Sequence, residues 1–195
     1  MKLILASASP RRRELLSSIG LTFTVEASSV EEVQRAGEAP ETYVRRLAEE
    51  KAGEIAARHP DAWVIAADTI VFIHGRILEK PADHADAVRM LSMIAGEVHE
   101  VFTGLTLRQN ATDASHTRVV TTRVHMLPLS PEEIEWYVST GEPMDKAGAY
   151  AVQGMGAMLI ESIEGNYTNV VGLPLSTLYE MMKAEGLEVW GRSSQ

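Results

Sequence analysis

Trp63-Val-Ile-Ala-Ala-Asp68-Thr69-Ile-Val-Phe-Ile73 is a run of β-branched and aromatic residues with one carboxylate at its centre. Such a run predicts a buried strand. At the two-residue strand period Asp68 shares a face with Val64, Ala66, Ile70 and Phe72, and Thr69 falls among Ile65, Ala67, Val71 and Ile73. Burying an ionised carboxylate is costly unless a cation or several donors meet it. Two readings follow: an aspartate at a bulge or strand end satisfied by backbone N–H groups, or a metal-binding or catalytic carboxylate.

The segments before this strand carry the opposite charge. Leu3-Ile4-Leu5-Ala6 reads as a short buried strand that breaks at Ser7-Ala8-Ser9-Pro10 and enters Arg11-Arg12-Arg13-Glu14-Leu15-Leu16. Ser9 followed by Pro10 is a helix-start signal, with Leu15, Leu16 and Ile19 as the buried stripe and Gly20 as the stop. Three arginines in a first turn are unusual, because the macrodipole already makes that end positive. Cations added to free N–H groups at a strand-to-helix turn suit an anion, phosphate above all, though an ordinary solvated basic turn has the same composition. The glycines and Lys-Ser/Thr ending of a Walker loop are missing.

Leu21 to Val25 reads as a second strand leading to the acidic loop Ser28-Ser29-Val30-Glu31-Glu32. Pro40 opens a helix to about Arg58 whose apolar stripe is Val44, Leu47, Ala48, Ala52 and Ile55, with Lys51 inside it. A lysine there either snorkels to the edge or aims its ammonium at something negative. After the Asp68 strand, His74-Gly75 predicts a hairpin turn with Arg76-Ile-Leu78 returning and Glu79-Lys80-Pro81 at the strand end. Asp83 caps a helix ending at Gly96, and Val98–Leu107 and His116–Met126 read as long strands. Ser130-Pro131-Glu132-Glu133 is a capping box, and Gly141 closes its helix. The glycine-rich stretch from Gly141 to Gly156 allows close backbone approach and offers Asp145, Lys146 and Gln153 as polar handles, or is a plain crossover. Ala157 to Ile163 reads as a strand, Glu164-Gly165-Asn166 as a turn, and Pro174 starts a last helix with Leu175, Leu178, Tyr179 and Met182 inward. A frayed tail is expected from Glu188. The six histidines lie far apart without metal-ligand spacing.

Composition bounds the function. A chain of 195 residues with 45% hydrophobic and 23% charged residues can fill a core and fits one domain, 1–195. A net charge of -9 disfavours a broad grip on nucleic acid or anionic lipid, but not a small anion held by a local cationic cluster. The absence of cysteine excludes disulfides, thiolate zinc sites and a cysteine nucleophile. The start, Met1-Lys-Leu-Ile-Leu-Ala6, is too short for a signal segment, and no apolar run approaches membrane-spanning length, so a soluble cytoplasmic protein is expected.

Asp68 with Glu31 or Glu32 could hold Mg²⁺ or Mn²⁺ through oxygen, while Arg11, Arg12, Lys51 and Lys80 could neutralise a polyphosphate. Phosphoryl or nucleotidyl chemistry needs that set. From the residues alone, the expectation is an α/β protein that binds a phosphorylated small molecule and can hydrolyse it.

Ser7-Ala-Ser-Pro-Arg-Arg-Arg-Glu-Leu-Leu16, Ala67-Asp-Thr69, Leu78-Glu-Lys-Pro81, Gly141 to Tyr150 and Asn169-Val-Val-Gly-Leu-Pro174 together resemble the Maf family, nucleoside triphosphate pyrophosphatases once described as septum-formation inhibitors. The resemblance runs from Leu3 to the final helix. It implies an inosine triphosphatase-like α/β fold: an elongated mixed sheet with flanking helices, two lobes around a cleft, often a homodimer. It implies metal-dependent hydrolysis of a nucleoside triphosphate to the monophosphate and pyrophosphate. Asp68 matches the family's general base, and the turn with Ser7, Ser9, Arg11 and Arg12 its phosphate-binding loop. Glu32, Lys51 and Lys80 match positions that handle metal or phosphate, with the choice between Glu31 and Glu32 open. The segment Asp145-Lys-Ala-Gly-Ala-Tyr150 with Gln153 is similar to the branch acting on dTTP and UTP, in which positions matching Arg11, Thr69 and Gln153 are tied to specificity. A glutamine amide offers both a donor and an acceptor to a pyrimidine O4/N3 edge. The rivals are the branch preferring 7-methyl-GTP and a non-catalytic, nucleotide-sensing regulator of cell division.

Overall fold

The computed structural model describes residues 2–187. Seven strands form one mixed sheet in the order β2-β1-β3-β5-β6-β7, with β4 paired to β3. The strands are β1 (Leu3–Leu5), β2 (Thr24–Val25), β3 (Trp63–Ile73), β4 (Arg76–Leu78), β5 (Val98–Gln109), β6 (Ala114–Met126) and β7 (Ile160–Glu164). The helices are α1 (Pro10–Ser18), α2 (Pro40–Arg58), α3 (His84–Ile94), α4 (Pro131–Ser139), α5 (Tyr167–Val171) and α6 (Leu175–Ala184). The described chain divides into two compact units, one of residues 2–68, 103–120 and 172–187, the other of 69–102 and 121–171.

In the first unit β1 pairs in parallel with both β2 and β3, Leu3 opposite Trp63 and Leu5 opposite Ile65. The pleat sends alternate residues to opposite faces. Val64 and Ala66 pack with Ala52, Ile55 and Ala56 of α2, while Ile65 and Ala67 pack with Leu16 of α1 and Leu178 and Met182 of α6. Helix α2 lies so close on β5 that a Cβ at Gly104 would sit 2.1 Å from the Val44 carbonyl oxygen. Only glycine fits there.

In the second unit α3 and α4 share a core with Val71, Ile73, Leu78, Val101, Val124 and Met126. The β3–β4 hairpin turns through His74 (φ 48°) and Gly75 (φ 75°), the two positive φ values that an Asn-Gly-like turn requires. Asp83 caps α3 by accepting from the Asp86 N–H at 2.8 Å, and the Ser130/Glu133 capping box opens α4.

Several expectations shift. The second strand shrinks to Thr24–Val25, because Leu21 and Phe23 turn into the core instead of joining the ladder. Ile19 is 38% exposed, since α1 stops a residue before it. The last strand starts at Ile160, as residues 154–159 wind into a 3₁₀ turn that leaves Met158 exposed. Helix α5 was not anticipated from its sequence: Asn166 Oδ1 caps it by accepting from the Asn169 N–H at 3.0 Å, but five residues are too few for a periodic signal. Met181 joins Leu178 and Met182 among the buried residues of α6, with Leu175 and Tyr179 half-buried. The tail expected from Glu188 lies outside the described residues.

Candidate active site

Asp68 occupies the middle of β3, so a strand end does not explain it. Its face of the strand is the one that packs on α2, where Lys51 stands four residues before Ile55. The Lys51 ammonium donates to Asp68 Oδ1 at 2.7 Å and to Glu32 Oε1 at 2.5 Å. Lys51 and Asp68 are 6% and 5% exposed, so neither charge could be carried without the other. Lys51 therefore does not snorkel. Of the two acidic neighbours, Glu32 is the one on the ammonium.

The loop that supplies Glu32 is held to α2 on both sides. Ser28 and Ser29 donate hydroxyl protons to the Glu54 carboxylate, at 2.5 and 2.7 Å. Arg46 donates to the Val33 carbonyl at 3.0 Å and forks onto Glu38 at 2.7 Å through both Nε and Nη2. That fork, working against burial, holds the Glu38 carboxyl down at about 2. These clamps are not visible as motifs, since each partner is an ordinary surface residue type.

At the start of α1, Ser9 is the N-cap and its Oγ faces the Arg12 N–H at a long 3.5 Å. Ser7 Oγ accepts from the Ser9 N–H at 3.2 Å and from Arg12 Nη1 at 3.1 Å. Arg12 Nε donates to the Gly172 carbonyl at 2.8 Å. Arg12 thus ties the serine turn to the segment entering α6, a role sequence reading did not assign; the glycine next to Leu173-Pro174 was the available signal. Burial lowers the Arg12 pKa while Asp68 and Glu32 oppose that and Arg11 adds to it. An arginine remains cationic throughout. Arg11 is half-buried and Arg13 exposed.

One locality thus gathers Ser7, Ser9, Arg12, Glu32, Lys51 and Asp68 within the first unit. Thr69, Lys80 and Gln153 belong to the second unit. Thr69 is half-buried, and Lys80 and Gln153 are exposed. The Lys80 loop is pinned by Glu79, whose carbonyl accepts from the Gly148 N–H at 3.1 Å, and a Cβ at Gly148 would collide with Val71. That fit explains the glycine in Ala147-Gly-Ala149. Lys146 spends its ammonium on the Glu142 carbonyl (2.7 Å) and on Asp145 (2.6 Å).

Among the described residues no group of three or more His, Cys, Asp or Glu side chains is placed to hold a metal. Mg²⁺ commonly takes one or two carboxylates and completes its shell with water and substrate phosphate. Glu32 and Asp68, both oxygen donors meeting one ammonium, suit that mode.

Fold and site define an α/β protein that sets a cationic, serine-lined helix start beside a lysine-bridged carboxylate pair. Residues 2–185 match the family model of Maf-like proteins, and the chain belongs to that family. It is 50% identical over 192 residues to a Myxococcus xanthus protein named dTTP/UTP pyrophosphatase, covering 98% of this chain and 96% of that one. Proteins of the same name from Koribacter versatilis and Geobacter metallireducens are each 52% identical, over 187 and 185 residues, covering 96% and 95% of this chain and 96% of each relative. A HAM1 protein from Coxiella burnetii matches with a TM-score of 0.44 at 16% identity, covering 65% of this chain and 73% of its own, a likeness too slight to carry a conclusion.

Proposed function

We propose that this chain hydrolyses dTTP and UTP to the nucleoside monophosphate and pyrophosphate. The observation that carries the reading is identity of 50–52% over at least 95% of the chain to relatives bearing that activity in their names. A water attacks the α-phosphorus, the bond from that phosphorus to the bridging oxygen breaks, and pyrophosphate leaves. Asp68 takes the water's proton, while Lys51 donates to its Oδ1 and fixes the carboxylate's orientation. Ser7, Ser9, Arg11 and Arg12 bind phosphate oxygens at the mouth of α1, and Lys80 adds a further cation. Arg11, Thr69 and Gln153 read the base.

A divalent ion, Mg²⁺ or Mn²⁺, held by Glu32 and Asp68 would supply neutralisation of phosphate charge. The reading extends to a cytoplasmic homodimer, which sedimentation of the purified protein would check. No helix of the described chain is long and apolar enough to cross a membrane.

The decisive experiment is a substrate panel: pyrophosphate release from dTTP, UTP, dGTP and 7-methyl-GTP with each metal. Rapid release from the pyrimidines alone is expected. Equal rates on purine nucleotides would overturn the assignment.

A further inference from the structure

Gln153 is the N-cap residue of the 3₁₀ turn Gly154–Leu159, and its side chain makes no capping hydrogen bond to that turn. Its anchor comes from elsewhere. Glu142 Oε1 accepts from the Gly156 N–H and from the Tyr137 hydroxyl, both at 2.8 Å, and Oε2 accepts from the Met155 N–H at 3.0 Å. The same Tyr137 oxygen accepts from the Ala151 N–H at 3.1 Å. Backbone N–H groups on both sides of Gln153 thus end on a single tyrosine–glutamate pair.

The glycines flanking this pair have a matching reason. Gly154 has φ of 69°, and a Cβ there would lie 2.5 Å from Glu142 Oε2; a Cβ at Gly156 would lie 2.5 Å from the Tyr137 hydroxyl. The pair itself is rigid. Tyr137 is fully buried in the core between α3 and α4, and the Glu142 backbone is fixed by Thr140 Oγ1 (3.2 Å) and Lys146 Nζ (2.7 Å). Burial pushes the Glu142 carboxyl up, but Gly156, Tyr137 and Met155 overcome it and leave it below its ordinary value. At neutral pH it is an ionised acceptor.

We propose that Tyr137 and Glu142 are positioning residues that hold the Gln153 turn and thereby set which nucleobase is accepted. The proposal rests on the dTTP/UTP reading above and on Gln153 as the base-reading amide. An amide discriminates only while its backbone is held, because a hydrogen bond weakens steeply when its angle or distance slips. A neutral recognition bond contributes about 0.5–1.5 kcal/mol, so losing its geometry costs about 2- to 13-fold.

The test compares Glu142→Gln, whose amide nitrogen cannot accept from an N–H, and Tyr137→Phe, which removes one oxygen. kcat and KM are measured for dTTP and dGTP in each variant, alone and combined with Gln153→Ala. The expected result is a fall of about 2- to 13-fold in the dTTP-over-dGTP ratio of kcat/KM. That fall is carried by KM for dTTP and absent when Gln153 is already alanine, because coupled residues are non-additive. An unchanged ratio overturns the proposal, as does an equal loss on both nucleotides or a fall that persists in the Gln153→Ala background. Should Glu142→Gln fail to fold, Tyr137→Phe carries the same comparison. A wild-type protein inert towards dTTP strikes the underlying reading, whereas an active wild type with an unmoved ratio in the variants strikes only this inference.

Discussion

At the scale of single residues, two buried groups have opposite explanations. Asp68 is buried and is met by the Lys51 ammonium at 2.7 Å. Asp68→Asn preserves shape but removes the proposed proton acceptor, so turnover of dTTP should fall about 10²–10⁴-fold while dTTP affinity, read by calorimetry, stays within a few fold. Wild-type turnover in that variant would end its role as base. His99, by contrast, stays neutral. It is 1% exposed, its Nε2 pairs with the Tyr150 hydroxyl at 2.7 Å, and its Nδ1 has no partner among the described residues. Burial, helped by His125, lowers its pKa from 6.5 to about 4. The unfolded chain therefore takes up the proton first, so His99's contribution is intact above pH 6.5 and is lost as pH falls towards about 4. The loss is at most about 3 kcal/mol. Urea midpoints should decline across that interval in the wild type and decline less in His99→Gln; parallel curves would refute the assignment.

At the scale of elements, close approach decides more than propensity does. Helix α2 reaches Asp68 because it lies directly on β5 at Gly104, where a Cβ would meet the Val44 carbonyl oxygen at 2.1 Å. Gly104→Ala must push α2 off the sheet, destabilising the protein by about 1–3 kcal/mol or more. Since Lys51 rides on α2, the variant should also lose activity beyond its loss of folded protein, measured as kcat per folded molecule. A variant of normal thermal midpoint and activity would show that the helix is not seated there. Local signals fared unevenly at this scale. The extents of α2 and β3, the Asp83 cap and the Ser130/Glu133 box were legible, because caps and periodicity are short-range chemistry. Residues 157–159 read as strand on apolar content alone, yet the Gln153 turn needed them as 3₁₀.

At the scale of the whole molecule, charge sets the partners. A net charge of -9 combined with a local group of cations suits a small polyphosphate and not a long one. The protein should produce no shift of duplex DNA in a gel at low-micromolar concentration and about 0.15 M salt. A salt-sensitive shift would contradict that balance.

Composition, caps and hydrophobic period by themselves determined an α/β protein with a charged strand centre and a cationic helix start, because those signals act over a few residues. Family membership was legible too, through motifs that stand in order along the chain. Only the tertiary structure decided that Glu32 and not Glu31 meets Lys51, that Arg12 binds the Gly172 carbonyl, and that Tyr137 and Glu142 brace the Gln153 turn. These pairings join residues far apart in sequence, and a carboxylate's choice of cation is settled by packing, which no local pattern encodes.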